Sequence, residues 1–436
     1  MKINIEDYSK PCSCGKEHRI DVKEIIIESG AARKLGKELK EGYLSEYRRP
    51  WILCDENTLA AAADVLKETF EMCDKLVLNP KGLHADNHAV DLVEERLPAD
   101  ADLLLAVGSG TVHDLSRYVA FHRGIPFVSV PTAASVDGFV STVAAMTWHG
   151  MKKTLPAAAP MSVFADPEIF AKAPLRLNAS GVGDLMGKYV CLADWKISHL
   201  LTGEYYCEEI VGLEQRALET VGGCLKEIAA GDGAACETLM YALILSGLAM
   251  QMVGNSRPAS GAEHHMSHFW EMEVVNDTLD ALHGEKVAVG TMYVLEKYKS
   301  TAQAIREGRC RAHAWDDREE KTVAGVFGEK GLYEGIQKEN GREMLLDVDP
   351  LKLQTALPQI AEILEALPDV KEMESLLAVS GCPKTAADIG LPDSLVPVSL
   401  AMSPYVRRRL TWNRISKLLD MGTVPLSHFL GKRDCP

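Results

Sequence analysis

Hydrophobic positions in the first third of the chain fall into short runs. "KEIIIESG", "RRPWILC", "DKLVLNP", "ADLLLAVGSG" and "IPFVSVPT" each read as a strand closed by a turn residue. Between them, "AARKLGKELKEG", "DENTLAAAADVLKETF" and "NHAVDLVEERLP" carry apolar residues at helical spacing. Strands alternating with helices predict a parallel sheet built from βαβ units. The stretch "STVAAMTWHGMKKTLPAAAPMSVFAD" is strand-rich and predicts a hairpin. After "FAKAPLRLNASGVGD" the period changes, and segments such as "TLMYALILSGLAMQMVG" read as helix. The pattern therefore predicts a Rossmann-like α/β domain over residues 1–176 and an all-helical domain over residues 177–436.

A chain of 436 residues, 47% of them hydrophobic, has enough material for two such cores. The net charge of -15 argues against nonspecific nucleic-acid binding, so an anionic ligand would need local donors. "MKINIEDYSKPC" has no apolar core of a signal peptide, and no run of about 18 uninterrupted apolar residues predicts a membrane span. Eleven scattered cysteines suit reduced thiols in a cytoplasm. "CSCGKEH" offers Cys12, Cys14 and His18, but no second ligand pair stands at finger spacing, and a free surface turn is expected. "DDREEK" reads as a solvated face.

Four places carry candidate chemistry. In "LLLAVGSGTVHDLSRYVA" a buried strand runs through Gly108, Ser109, Gly110 and Thr111 into a helix. Such a turn lets backbone N–H groups approach a phosphate, although His113 stands where a third glycine would be, and a plain strand-to-helix turn fits equally. In "SVPTAASVDGFVS" the residues Thr132, Ser135, Asp137 and Ser141 follow the next strand, where parallel sheets place ligands; helix capping explains Ser135 and Asp137 as well. Asp55 ends an early strand, suited either to a ribose hydroxyl or to a cap. Asp184, His264 and His283 form one carboxylate and two imidazoles, a set that leaves a catalytic Zn²⁺ an open position. Within "SGAEHHMSHFWEM", positions 264 and 268 share a helical face, whereas His265 points elsewhere and is expected to be a bystander.

Taken together, the order and spacing of these motifs resemble the sn-glycerol-1-phosphate dehydrogenase family, in particular its bacterial AraM-type members, whose Cys-rich N-terminus this one also resembles. The family lies in the superfamily of iron-containing alcohol dehydrogenases and dehydroquinate synthases, and the resemblance weakens after about residue 300. It implies a dehydroquinate synthase-like fold and reduction of dihydroxyacetone phosphate to sn-glycerol 1-phosphate by NADH or NADPH. It implies that Gly110, Thr111, Val112, His113 and Asp114, after Gly108, line the cofactor pyrophosphate. Thr132, Ala133, Ala134, Ser135 and Ser141 would complete that site, with Asp55 near the adenosine ribose. Asp184, His264 and His283 would bind one divalent metal, zinc first and nickel or iron as alternatives. Asp137, Asp184 and His268 would meet the substrate, a small phosphorylated triose. A homodimer is also implied. For the substrate phosphate, Lys152, Lys153 and Arg257 are the candidate donors. The competing readings are a glycerol or polyol dehydrogenase with the same triad, a dehydroquinate synthase-like cyclase, and a non-catalytic protein retaining the fold.

Overall fold

A computed structural model describes residues 3–272, 279–317 and 319–421. Six parallel strands form the N-terminal sheet: β1 (Glu24–Ile27), β2 (Pro50–Asp55), β3 (Asp74–Leu78), β4 (Leu103–Gly108), β5 (Phe127–Pro131) and β8 (Ser162–Ala165). They lie in the order β1-β8-β5-β4-β2-β3. All six residues of β4 are buried, as a central parallel strand covered on both faces requires. The pleat separates its side chains: Leu104 and Ala106 join one core, whereas Leu103, Leu105 and Val107 join the core on the other face.

Helix α1 (Ala31–Glu41) follows β1, α2 (Asn87–Arg96) follows β3, and α3 (Gly110–Arg123) follows β4. The helix expected after β2 splits into Glu56–Ala62 and Lys67–Met72, as the chain bends to bury Leu66. The strand-rich stretch gives a two-stranded antiparallel hairpin, β6 (Val143–Trp148) and β7 (Met151–Pro156), separate from the main sheet, but its end, "SVFA", is not part of the hairpin and forms β8 of that sheet. Its two-residue turn puts both His149 and Gly150 at positive φ, 50° and 77°, the twist that a tight hairpin favours.

Beyond β8 the chain is largely helical: α4 (Leu175–Met186), α5 (Lys188–Thr202), α6 (Glu208–Gly222), α7 (Gly233–Val253), α8 (Ala262–Trp270), α9 (His283–Arg306) and α10 (Pro350–Glu365) lead the remainder. It is not wholly so, because β9 (Arg311–Ala312) and β10 (Leu419–Asp420) pair briefly. Helix α7 is long and apolar enough to cross a membrane, yet 72% of its most apolar window is buried inside the protein, so it is a core helix. Ile3, Val22 and β1 share the core of these helices, so the N-terminal segment packs on the helical half. The Cys12–His18 segment differs from the free turn expected. His18 is buried, and the sulfurs of Cys12 and Cys14 touch Cys207 and Tyr205.

Candidate active site

The strand order reverses between β2 and β4: the chain moves outward from β2 to β3, then returns to the far side of β2. Open α/β sheets bind ligands at such a switch point, beyond the carboxyl ends of the strands. Asp55 and Gly108 end the two flanking strands. Gly108 has no room for a side chain, since a Cβ would collide with Val112. Glycine therefore lets α3 start directly against the strand, leaving its first N–H groups without helical partners. Ser109, Gly110, Thr111, His113 and Asp114 line a cleft of about 800 Å³, as do Ser135, Asp137 and Ser141. Val112, Ala133 and Ala134 are buried behind this wall, and Thr132 donates its N–H to the Gly108 carbonyl at 2.9 Å.

Several of these residues have internal duties. The Asp55 side chain accepts from the Thr58 N–H at 2.9 Å and caps the helix after β2. His113 uses one ring nitrogen on the Ser109 carbonyl and the other on the Ser129 hydroxyl, at 2.9 and 2.7 Å. Burial and the nearby Arg117 push its pKa down to about 3, so the ring is neutral. Arg117 donates to the Ser141 carbonyl at 2.8 Å, fixing the loop after β5 against α3.

The opposite wall comes from helices. Asp184 near the end of α4, His264 in α8 and His283 opening α9 place one ligand atom each within 4.8 Å of the others. Backbone contact brings them together. A Cβ on Gly183 would overlap the Gly284 carbonyl oxygen, and one on Gly284 would overlap the Ser180 carbonyl oxygen. The Nε2 of His264 lies 3.2 Å from Asp184 Oδ1, and its Nδ1 lies 2.7 Å from Glu263 Oε1. The Nδ1 of His283 lies 2.9 Å from Glu271 Oε1. A carboxylate behind each imidazole orients the ring and leaves Nε2 for a cation. Burial opposes a charge on His264, but hydrogen bonds with Asp184 and Glu263 lift its pKa to about 9. Burial likewise opposes ionisation of Asp184, yet the Lys188 charge and the His264 hydrogen bond hold the carboxyl well below its usual range.

His264 and His268 both face the cleft, their ring centroids 6.0 Å apart, and His268 stacks on His283 at 5.7 Å. His265 is buried away from the cleft, where burial and four arginines keep it neutral. Burial and the charge of Arg407 also keep His268 neutral, and its Nδ1 has no partner.

Sequence reasoning missed a buried polar chain behind the cluster. Lys188 Nζ lies 2.8 Å from Asp137 Oδ2 and 3.2 Å from Asp184 Oδ1. The Ser246 hydroxyl lies 2.9 Å from Asp137 Oδ2 and 3.0 Å from Glu214 Oε1. One hydroxyl has one proton, so two ionised carboxylates cannot both receive it. Burial pushes Glu214 up to about 8, making Glu214 the protonated member at neutral pH. Glu263 and Glu271 were also missed, although a carboxylate beside one histidine and three residues past His268 was a readable signal. Lys188, four residues after Asp184, was another.

The phosphate donors sort clearly. Lys152 lines the cleft and pairs with Glu271 at 2.8 Å, and Lys286 joins the same carboxylate at 3.3 Å. Arg257 is tied to Glu204 and to the Asp194 and Leu410 carbonyls, and neither it nor Lys153 lines the cleft. Arg407 donates to the hydroxyl of Thr154, a cleft residue, while its Nε and Nη2 are buried without partners.

Comparison with known proteins bears on the fold and the family. A family model for iron-containing alcohol dehydrogenases matches residues 26–174. The fold is similar to that of glycerol dehydrogenase from Schizosaccharomyces pombe, at 19% identity and a TM-score of 0.54 over 85% of this chain and 94% of that one. It is also similar to maleylacetate reductase from a Rhizobium strain, at 15% identity and a TM-score of 0.56 over 88% and 90%. In sequence the chain is 33% identical to glycerol-1-phosphate dehydrogenase [NAD(P)+] of Geobacillus stearothermophilus, over 95% of this chain and 96% of that one. The counterpart in Bacillus licheniformis is 34% identical over 93% and 91%. With near full-length identity of this order, and a cleft joining a phosphate-suited turn to an Asp–His–His cluster, the chain belongs to the glycerol-1-phosphate dehydrogenase family.

Proposed function

We propose that the protein reduces dihydroxyacetone phosphate to sn-glycerol 1-phosphate, reversibly, with NADH or NADPH and one divalent metal. The observation that carries this reading is the Asp184–His264–His283 cluster, backed by Glu263 and Glu271, facing the N-terminus of α3 across one cleft. The cluster fits a metal: both imidazoles have Nδ1 engaged, and the third donor is a buried carboxylate. Zinc suits this donor set best, and nickel or iron also accept it. A metal there supplies Lewis acidity at the ketone oxygen, and a nicotinamide supplies the hydride.

The chain's own residues do the rest. Backbone N–H groups at Gly110, Thr111 and Val112 bind the cofactor pyrophosphate, with Ser135 and Ser141 beside it. Asp55 accepts from the adenosine ribose and disfavours a 2′-phosphate, so NADH is the preferred reductant. Lys152, which lines the cleft, holds the substrate phosphate, and His268 donates to the substrate from a neutral ring. Lys188 pairs with Asp137 and keeps Asp184 ionised. The proton for the new hydroxyl starts on the protonated Glu214 and passes through the Ser246 hydroxyl and Asp137 toward the substrate oxygen. None of the ten described cysteines forms a disulfide, which supports placement in a reducing cytoplasm.

The test is an initial-rate assay with dihydroxyacetone phosphate and NADH or NADPH, after metal removal and add-back. Metal-dependent oxidation of the reduced nicotinamide with stoichiometric product is expected, with abolition in Asp184→Ala. Turnover of glycerol without turnover of dihydroxyacetone phosphate overturns the substrate; full activity in Asp184→Ala overturns the site.

A further inference from the structure

A second cluster lies outside the cleft, where the N-terminal segment meets the helical half. Cys12, Cys14 and His18 precede β1, and Cys207 stands at the start of α6. One ligand atom from each lies within 4.8 Å of all the others. The sulfurs of Cys12 and Cys207 are 3.5 Å apart. His18 Nε2 is 3.5 Å from Cys14 Sγ and 3.7 Å from Cys207 Sγ. Tetrahedral zinc, with bonds of about 2.3 Å to sulfur and 2.0 Å to nitrogen, sets its ligands about 3.8 Å apart between sulfurs and about 3.5 Å between sulfur and nitrogen. The observed spacings are those of ligands around one ion.

Local structure supports the same conclusion. His18 Nδ1 lies 2.9 Å from the Met252 carbonyl, which fixes that nitrogen as the donor and leaves the Nε2 lone pair facing the sulfurs. The Gly15 N–H donates to the Cys12 carbonyl at 3.0 Å and closes a turn in which the Cys14 N–H points at Cys12 Sγ, at 3.5 Å. The N–H groups of Glu209 and Ile210, in the first turn of α6, face Cys207 Sγ. Such donors stabilise thiolates. Little else orders this segment, which has no helix or strand between Tyr8 and β1.

We propose that Cys12, Cys14, His18 and Cys207 form a closed structural zinc site, distinct from the active-site cluster, that fastens the N-terminal segment to the start of α6 and the end of α7. Four protein ligands leave no open position, so the ion has a fastening role and no catalytic one.

The test is metal content by elemental mass spectrometry on protein purified without chelator. Wild type carries two equivalents per chain. Cys14→Ser and Cys207→Ser each lose one, Asp184→Ala loses the other, and Cys224→Ser, a neighbouring thiol outside the cluster, keeps both. Should the cysteine variants fail to fold, Co²⁺ added to metal-stripped Asp184→Ala decides. A single tight ion with thiolate-to-cobalt charge-transfer absorption supports the site, and chelation should expose Lys16 and Arg19 to trypsin. A wild type with one equivalent, lost entirely in Asp184→Ala, overturns it. A mass two hydrogens light in anaerobically purified protein also overturns it, because Cys12 and Cys207 would then be a disulfide.

Discussion

Glu214→Gln isolates the buried proton behind the active site. In the folded protein burial raises Glu214 from 4.5 to about 8, outweighing the favourable charge of Lys188, and the charges of Asp137 and Asp184 push the same way. The folded state therefore keeps a proton that the unfolded chain releases near 4.5. Its stabilising contribution is fully present below that pH and is lost as pH rises through about 8. The slope in between is one proton, about 1.4 kcal/mol per pH unit, so from pH 5 to pH 8 the change is on the order of 3 kcal/mol. Glutamine has the shape of the protonated acid and donates to Ser246 without titrating. Urea unfolding of the metal-loaded protein, followed by tryptophan fluorescence at several pH values, should show wild type losing that stability relative to Glu214→Gln. Parallel stability curves for the two proteins would refute the assignment of the proton.

Glu271→Gln removes the carboxylate behind His283 and should weaken metal binding by roughly 10–100-fold in competition with a chelator; unchanged affinity would show that the carboxylate does not tune the ligand. In the metal-saturated enzyme Lys152→Met should raise KM for dihydroxyacetone phosphate by roughly 10–100-fold while leaving the rate with unphosphorylated dihydroxyacetone unchanged. An equal loss with both ketones would place Lys152 outside the phosphate site. His265→Gln, nearly silent by sequence reasoning, is a core substitution. It should lower stability by about 1–2 kcal/mol with KM values unaltered, and a change in KM would put His265 in the cleft.

Local patterns made most of the fold readable. Five strands of the sheet, the hairpin and the change to helical spacing each follow from neighbours within a few residues, whereas β8 reads as part of the hairpin stretch because its pairing with β1 and β5 is set far away in sequence. The split after β2 was not readable, because burial of Leu66 is decided by the sheet it packs on. The histidines of α8 sorted themselves by helical geometry, since His264 and His268 are one turn apart. What escaped was partnership across long separations. Ser246 meets Asp137 and Glu214 from three different segments. Cys207 reaches a motif 195 residues away in sequence, which is why "CSCGKEH" looked one ligand short. Arg407 meets Thr154 across 253 residues.

The crossing of α4 and α9 bears on how such a chain can change over generations. Gly183 and Gly284 adjoin two residues of the triad, and each touches backbone that cannot move aside as a rotamer can. Any replacement at either position adds at least a methyl group, so no single amino-acid step preserves the crossing. The spacing of Asp184 and His283 is thus inherited as a unit, kept or lost whole. Adaptation to a new ketone has to be written at the cleft wall instead, on the β6–β7 hairpin around Lys152 and Thr154, where side chains can be exchanged one at a time.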